Sequence, residues 1–517
     1  MLSRLSTSSL IAVVLASVFG RMSTALAQIV AGIYLSPTDF GIYATAMGVI
    51  LVTTGLRGGG TGNHAQTMTV EEFRTTGWRI YRYTMLFAAI GCGLSLLAAW
   101  PVAERFAAEK GYPRSVLLHT ILVLTLNFAL FSAAWFGRCR ITSEGRVREI
   151  SIVDSLSGAI KFLSTWILAA SGAGPLALAG ALTAGAVIEG LWTLTRGGLR
   201  MKEMGRKGPW VAQTFRELRL PLIMAVLTTL GSQTDALVGS ILVPVTVIGF
   251  YFFAMQLASQ PTMLVGTTLR AVFTSATAAV RGNPDRERES VHIVFNGAMV
   301  FIPLITMSIP AIFEPFERAV WGGRWADARW PVLILSIAAI YTTALQLVGA
   351  PIAGLRNWRL AIRLDLFRAI PKIVGAAIGG IACIALGLDA VASGIILAFA
   401  VGATSLIAAT YELFRVLLHS GLSRGSIIYE LYSTPLAALL SAVAAAGLSH
   451  SITEPLRSAI HERVAAGIEF GLSGVIYAIL SLLLIRFGYT PTLERLLQAI
   501  PGPFATPLRK ALRMPAA

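Results

Sequence analysis

Residues 32–47 read GIYLSPTDFGIYATAM, and residues 239–255 read GSILVPVTVIGFYFFAM. Gly32 aligns with Gly239, Leu35 with Leu242 and Pro37 approximately with Pro244, and both stretches end in G-x-Y-x-x-A-M, starting at Gly41 and Gly249. Each copy reads as a helix end, a short turn with proline and a new helix start. A second echo lies further along: DSLSGAIK at 154–161 and DLFRAIPK at 365–372 both place Asp seven residues before Lys. The offsets of 207, 208 and 211 agree within small loop insertions. Two echoes in register make chance a poor explanation, and a chain built twice is the better one.

Composition sets the class. Of 517 residues, 55% are hydrophobic and 13% charged, where a soluble protein carries about a quarter charged. Apolar runs long enough to cross a hydrocarbon core of roughly 30 Å recur along the whole chain. The segmentation predicts an all-α, polytopic membrane protein of about fourteen helices, at 8–34, 39–57, 82–103, 115–136, 150–171, 174–195, 220–242, 247–269, 291–312, 331–354, 364–386, 391–414, 430–448 and 465–486. Arg4, the run LIAVVLASVFG and the ALA at 25–27 imitate a cleaved secretory signal, but Arg21 interrupts it and apolar character continues to Leu35. An uncleaved first helix is expected instead.

Lysine and arginine placement orients the chain with both termini cytoplasmic, because most of them then fall in cytoplasmic segments. The segment 196–219, RGGLRMKEMGRKGPWVAQTFRELR, alone holds seven. The net charge of +16 therefore reflects topology and calls for no nucleic acid, although this segment also suits anionic lipid headgroups. Cys92, Cys139 and Cys383 are scattered and indicate neither a disulfide framework nor a metal site.

Six helices separate the two copies, so both have the same orientation in the membrane. The expected organisation is an N-terminal six-helix lobe at 1–200, a basic cytoplasmic linker at 201–219, a C-terminal six-helix lobe at 220–420, and two added helices with a cytoplasmic tail at 421–517. Parallel repeats of this kind occur in transporters, with the site at the interface and the halves rocking about it.

Polar residues inside the spans mark that site. A charge at mid-bilayer costs roughly 2.5–3.5 kcal/mol on insertion scales, so each one needs a reason. The first helix carries Ser17, Arg21, Thr24 and Gln28 on one face, the fifth carries Asp154, Ser157, Lys161 and Ser164, and the seventh carries Thr228, Ser232 and Asp235. Under the offset of 207, Asp235 is the repeat partner of Gln28. Two readings stay open: structural pairing, with Asp154 and Lys161 meeting each other or a neighbour and Asp235 meeting Arg21, or a solvated cavity that contacts cargo. Arg57 and Arg270, near cytoplasmic helix ends, read as interfacial anchors with cargo contact as the alternative, and Lys372 is placed to snorkel or to face the interior. Arg21, Lys161 and Lys372 leave the interior more positive than negative, which favours an anionic cargo in a poorly screened space.

No G-x-x-x-x-G-K-[ST] phosphate loop is present, so no ATP hydrolysis by this chain is expected. His64, His119 and His292 stand apart from one another, and His450 and His461 read as external surface residues. No catalytic triad, metal set or cofactor is expected.

The corner LSPTDFGIYATAM, the stretch GFYFFAMQLASQPTMLVGTTLRAVFTSA at 249–276 and GGRWADARWPVLILS at 322–336 together resemble the oligosaccharide flippases. These are polysaccharide-transport members of the multidrug/oligosaccharidyl-lipid/polysaccharide (MOP) exporter superfamily. The resemblance runs in order from about Leu10 to about Leu418. It implies two pseudo-symmetric lobes around a central cationic cavity, with Arg21, Lys161 and Asp235 lining it. It further implies movement of undecaprenyl-diphosphate-linked sugar repeats to the outer leaflet of the bacterial inner membrane. Cations would then hold the diphosphate, and Gln28, Thr24 and Ser157 would bond sugar. Asp235 would be the candidate carrier of a proton or sodium ion. Polysaccharide polymerase and glycosyltransferases are the implied partners, besides membrane lipid.

Three rivals remain. A drug/cation antiporter of the same superfamily would want carboxylates where the first helix offers Arg21. A peptidoglycan-precursor flippase shares the cationic cavity. A membrane polymerase or ligase needs a sizeable external catalytic loop, and the longest external connections, near 313–330 and 449–464, are short.

Overall fold

The structure is a computed structural model and describes residues 7–56, 61, 70–144, 146–196, 210–279, 282–355, 357–458 and 460–488. Among the described residues there are fourteen α-helices and no strand. They are α1 (Thr7–Tyr34), α2 (Pro37–Leu56), α3 (Val70–Lys110), α4 (Arg114–Ser143), α5 (Val147–Ala170), α6 (Pro175–Arg196), α7 (Trp210–Leu242), α8 (Val245–Ala279), α9 (Pro284–Phe316), α10 (Arg329–Gly354), α11 (Trp358–Leu386), α12 (Ala390–His419), α13 (Arg424–Thr453) and α14 (Glu462–Gly488). A π-helical turn at Glu317–Trp321 and short 3-10 turns at Ala326–Ala328 and Glu454–Ser458 complete the path. Eleven helices are long and apolar enough to span a membrane within the described side chains.

Several helices outrun their apolar windows. α3 begins at Val70, twelve residues before the expected span at 82, and α7 begins at Trp210, inside the segment read as linker. Both extensions are polar and amphipathic, and they are tied together by Arg79 and Glu217 at 2.7 Å. Apolar length finds the part of a helix that lipid covers, whereas a helix continues wherever its backbone stays paired.

Local chemistry explains the turns. At the first corner, Pro37 opens α2 while the Ser36 backbone N–H and hydroxyl donate to Asp39 at 2.8 and 2.7 Å. The Asp39 N–H donates back to Ser36 Oγ at 3.2 Å, a reciprocal cap of the S-x-x-D/E kind. The second corner has proline at 244 and no hydroxyl before it. Between α3 and α4, Tyr112 is buried and its hydroxyl meets Thr45 Oγ1 at 3.2 Å. Burial pushes that phenol up to about 12, with the Thr45 bond pulling the other way. Beside α5, Arg146 bonds Glu149 and Glu144 and donates to the Arg196 carbonyl at 3.1 Å. The bonds to Glu149 and then Glu144 raise this guanidinium above its ordinary range, so it stays a fixed charge where three helix ends meet.

The chain forms two compact units, 1–252 with 358–393, and 253–357 with 394–517. In the first unit, α1 packs on α5, α4 on α6, α3 on α4, α2 on α7 and α7 on α11. In the second unit, α9 packs on α10, α13 and α14. Within it Trp325 is wholly buried and stacked on Phe253 with ring centres 3.8 Å apart, with Trp321 edge-on to the same phenyl ring.

Helix pairings recur at the spacing of the sequence repeat. The first helix meets the fifth, α1 with α5, and α7 with α11. The third meets the fourth, α3 with α4, and α9 with α10. In the first pair Gly20 lies against Gly158, and in the second Gly231 lies against Ala369, both offset by 211 residues. At the corners the offset is 207 or 208, so one helical turn more separates Gly20 from Gly32 than Gly231 from Gly239. That lost turn sets Asp235 level with Thr24 at the crossing, not with Gln28 as the corner offset implies.

Candidate functional site

The in-span polar residues fall into two groups within the first unit. The first lies where α4, α5 and α6 meet. Arg138 from α4 clamps Asp154 from α5 through two parallel bonds, Nη1 to Oδ1 at 2.5 Å and Nη2 to Oδ2 at 2.7 Å. Its Nη1 also donates to Glu189 of α6 at 2.9 Å. The Glu189 side chain is 5% exposed and Arg138 24%. Planar guanidinium suits this geometry, since one fork holds one carboxylate and leaves an edge for another. One cation thus serves two carboxylates in a poorly hydrated place.

One turn and more beyond, Ser157 is buried and donates from Oγ to the Gly185 carbonyl of α6 at 3.2 Å. Lys161, half-buried, runs its methylene stem along Gly185, where any side chain would collide with it. Gly185 therefore serves both residues, giving one its carbonyl and the other its path. On α1, Thr24 is exposed and its hydroxyl returns to the Gly20 carbonyl at 3.2 Å. Gln28 is half-buried, with a buried amide nitrogen that has no hydrogen-bond partner.

The second group joins α7, α11 and the start of α8. Asp235 is 1% exposed. It accepts a hydrogen bond from the Tyr251 hydroxyl at Oδ2, while Oδ1 is buried without a hydrogen-bond partner. Lys372 of α11 lies half-buried within electrostatic reach of Asp235 and of Arg368. Closer to the start of α11, Thr228 Oγ1 donates to Asp365 Oδ2 at 2.6 Å, and Arg368 Nη2 donates to the Thr228 carbonyl at 3.0 Å. Arg368 Nη2 and Asp365 Oδ1 stand 3.4 Å apart. Asp365, Arg368 and Thr228 thus form a closed bridge between two helices.

Asp154 is held by a neighbour, Arg138 of α4. The side chains of Arg21 and Arg270, and Arg57 as a whole, lie outside the described residues. Thr24, Gln28, Ser157 and Lys161 lie on α1 and α5, which pack together; Asp235 and Lys372 lie on α7 and α11, which also do. Sequence reading missed Arg138, Glu189, Tyr251 and Arg368. Glu189 did carry a signal, as a lone carboxylate in the apolar run AVIEGLW. Arg138 sits just past the expected end of its span and passed for a surface cation. Among the described residues no cluster of three His, Cys, Asp or Glu is placed to hold a metal ion.

The described residues form fourteen helices with buried ionic groups within their apolar stretches, the arrangement of a multi-pass membrane protein. Its fold is similar to that of "Lipid II flippase MurJ, inward closed conformation", with a TM-score of 0.61 over 93% of this chain and 99% of that one at 12% identity. It is also similar to an outward-facing multidrug resistance MATE family transporter of the MOP superfamily, with a TM-score of 0.54 over 82% and 96% at 14% identity. A MOP superfamily transporter from Pyrococcus furiosus, reported with a binding pocket of reversed polarity, gives 0.52 over 82% and 96% at 15% identity. No curated protein matches the chain. The chain belongs to the polysaccharide biosynthesis protein family, which matches residues 29–329.

Proposed function

We propose that this protein is a flippase that moves lipid-diphosphate-linked oligosaccharide repeat units across the bacterial inner membrane, for surface or exopolysaccharide synthesis of the lipopolysaccharide or capsule type. Both termini face the cytoplasm, as the lysine and arginine distribution favours. The halves 1–200 and 220–420 act as lobes that expose a cationic cavity alternately to each side. No covalent chemistry is needed.

The observation that carries this reading is the matched pair of lysines, Lys161 on α5 and Lys372 on α11. Each follows by seven residues an Asp that has an arginine beside it, Arg138 in one copy and Arg368 in the other; Arg138 is shared with Glu189, and Lys372 lies within electrostatic reach of Asp235. Two ammonium groups related by the repeat suit a diphosphate, which carries charge for both. Arg21 adds to that field, and Thr24, Gln28 and Ser157 bond the sugars, while the lipid tail stays in the bilayer. Asp235, with one oxygen unbonded, is the candidate for a coupling proton or sodium ion. Polymerase and glycosyltransferases are the partners that supply and consume such a cargo.

The test is export in a strain lacking the gene, complemented with wild type, Arg21→Ala or Lys161→Ala at matched membrane abundance. Wild type is expected to restore surface polysaccharide, and each variant to leave at least tenfold more lipid-linked oligosaccharide on the cytoplasmic leaflet. Normal export by both variants would remove the cationic-cavity mechanism. A second reading, a peptidoglycan-precursor flippase, draws on the likeness to the lipid II flippase fold over nearly the whole of both chains. It predicts that deletion halts cell-wall synthesis while surface polysaccharide falls only secondarily. Raised drug sensitivity with unchanged export would instead indicate an antiporter.

A further inference from the structure

The side chains with which α5 meets α6 lie on one face of α5. Ser157, Lys161 and Leu168 are spaced four and seven residues apart, and each of them lands on a glycine of α6. Ser157 donates to the Gly185 carbonyl, and Leu168 Cδ1 lies 2.9 Å from where a Cβ on Gly180 would stand. A Cβ on Gly185 would strike Lys161 Cε and come within 2.7 Å of Cγ and 3.0 Å of Cδ. Three of the four methylene carbons thus lie along one glycine, and the surface of α6 sets the direction in which the ammonium leaves the stem. The next face of α5 is taken by α1, through Gly158 against Gly20.

We propose that Gly185 is a positioning residue for the cargo: it aims the Lys161 ammonium at the diphosphate without touching the diphosphate itself. The inference rests on the flippase reading above and deepens it by bringing α6 into the site. An ammonium is a compact charge on a flexible stem, so its pull on a phosphate depends on where the stem is held. Charged groups of a binding site act well when packing keeps them within about 0.5 Å of the productive place. Here the packing consists of a groove that one methyl group would fill.

At the matching places the second copy reads differently. Ala392, Ser393 and Ile396 stand at offsets of 207, 208 and 211 from Gly185. Gly394 is the glycine nearest those places, and among the described residues nothing lies within 4 Å of a Cβ on it. Lys372 lies instead within electrostatic reach of Asp235, which draws it, and of Arg368, which repels it. One lysine is aimed by shape, its repeat partner by charge. The atoms nearest a methyl group at Gly185 are those of the lysine stem, which rotates, and not backbone. Gly185→Ala should therefore spare the fold and misdirect the ammonium.

The experiment measures binding of undecaprenyl diphosphate to the purified full chain in detergent. Lys161→Ala and Gly185→Ala are each expected to weaken binding about tenfold, and the two together no more than Lys161→Ala alone. Gly394→Ala, the same change on α12, is expected to bind as wild type does. Unchanged binding by Gly185→Ala would overturn the positioning role, and so would a loss that multiplies with that of Lys161→Ala. Unchanged binding by Lys161→Ala would instead remove the cationic-cavity reading, and the inference with it. A second measurement holds even where Gly185→Ala alone fails to accumulate. Lys161→Cys, with the three native cysteines replaced by alanine, leaves room for the methyl group. Alkylation of its thiol with 2-bromoethylamine rebuilds a side chain of lysine's shape and charge. It is expected to restore binding beside Gly185 and to fail in the chain that also carries Gly185→Ala. Restoration in both chains would overturn the inference.

Discussion

The helix pair α1/α5 and its repeat α7/α11 share a backbone plan and differ in how they handle charge. Both cross where small residues meet, Gly20 on Gly158 and Gly231 on Ala369. Both carry Asp one turn before that crossing on the second helix, at 154 and 365. In the first copy the compensating arginine comes from a third helix, α4, and also serves Glu189. In the second copy it comes from α11 itself, three residues on, and Thr228 supplies a further bond from α7. The repeat preserved the crossing and let the ionic partners diverge. Backbone approach tolerates few substitutions, whereas a carboxylate in a poorly hydrated place accepts any donor that reaches it.

That difference sets the largest expected effect. Arg138→Ala leaves two carboxylates, one of them almost wholly buried, without their cation, and loss of one partner of a buried ion pair costs about 3–5 kcal/mol. Arg368→Ala leaves Asp365 still bonded to Thr228, and its expected cost is about 1–3 kcal/mol. Thermal unfolding of both variants in detergent, against wild type, checks the order: Arg138→Ala should lose far more of the melting temperature. Equal losses would mean that Glu189 and Asp154 find other donors, and the contrast between the copies would dissolve.

The crossings break the comparison from the other side. A methyl group at Gly20 would sit 2.8 Å from the Asp154 carbonyl oxygen and 3.2 Å from Ser155 N, both backbone atoms that cannot step aside. At Gly231 the nearest atom is Arg368 Nε at 3.1 Å, a side-chain and not a backbone atom, with Ala369 at 3.5 Å. Gly→Ala in a helix returns about 1 kcal/mol of propensity, while forced overpacking costs about 1–3 kcal/mol. Gly20→Ala should therefore be destabilising by up to about 2 kcal/mol and Gly231→Ala close to neutral, in the same melting experiment. A tolerated Gly20→Ala would show that α1 and α5 slide apart easily.

The sequence made the doubled plan legible because repeats keep backbone requirements: the proline corners, the paired glycines and the Asp-to-Lys spacing are all backbone or helix-face features. Fourteen helices followed from apolar length for the same reason. What stayed hidden was partnership across helices. That Arg138 meets Asp154 depends on how α4 is rotated and how deep it sits. Nothing local to either residue encodes that. Tyr251 was visible as part of the repeated motif, yet its bond to Asp235 joins a residue after the corner to one before it. The corner offset of 207 likewise misplaces the crossing by one turn, because the deleted turn lies inside a helix where apolar sequence leaves no mark.

The smallest expected effect concerns the corners themselves. α2 starts with a reciprocal Ser36–Asp39 cap, and α8 starts without one. Ser36→Ala removes the acceptor of the Asp39 N–H and leaves the Ser36 N–H bonded to Asp39. An N-cap substitution of this kind costs about 1 kcal/mol. Because a cap acts on the first turn alone, the loss should appear as faster amide hydrogen exchange at residues 39–41, with residues 247–249 unchanged. Gly41 packs against Val245 and Pro37 against Gly249, and fraying of one turn leaves that packing in place most of the time, so export should stay at the wild-type level. Faster exchange spreading to 247–249 would show that the two helix starts hold each other in place, and that capping one of them steadies both.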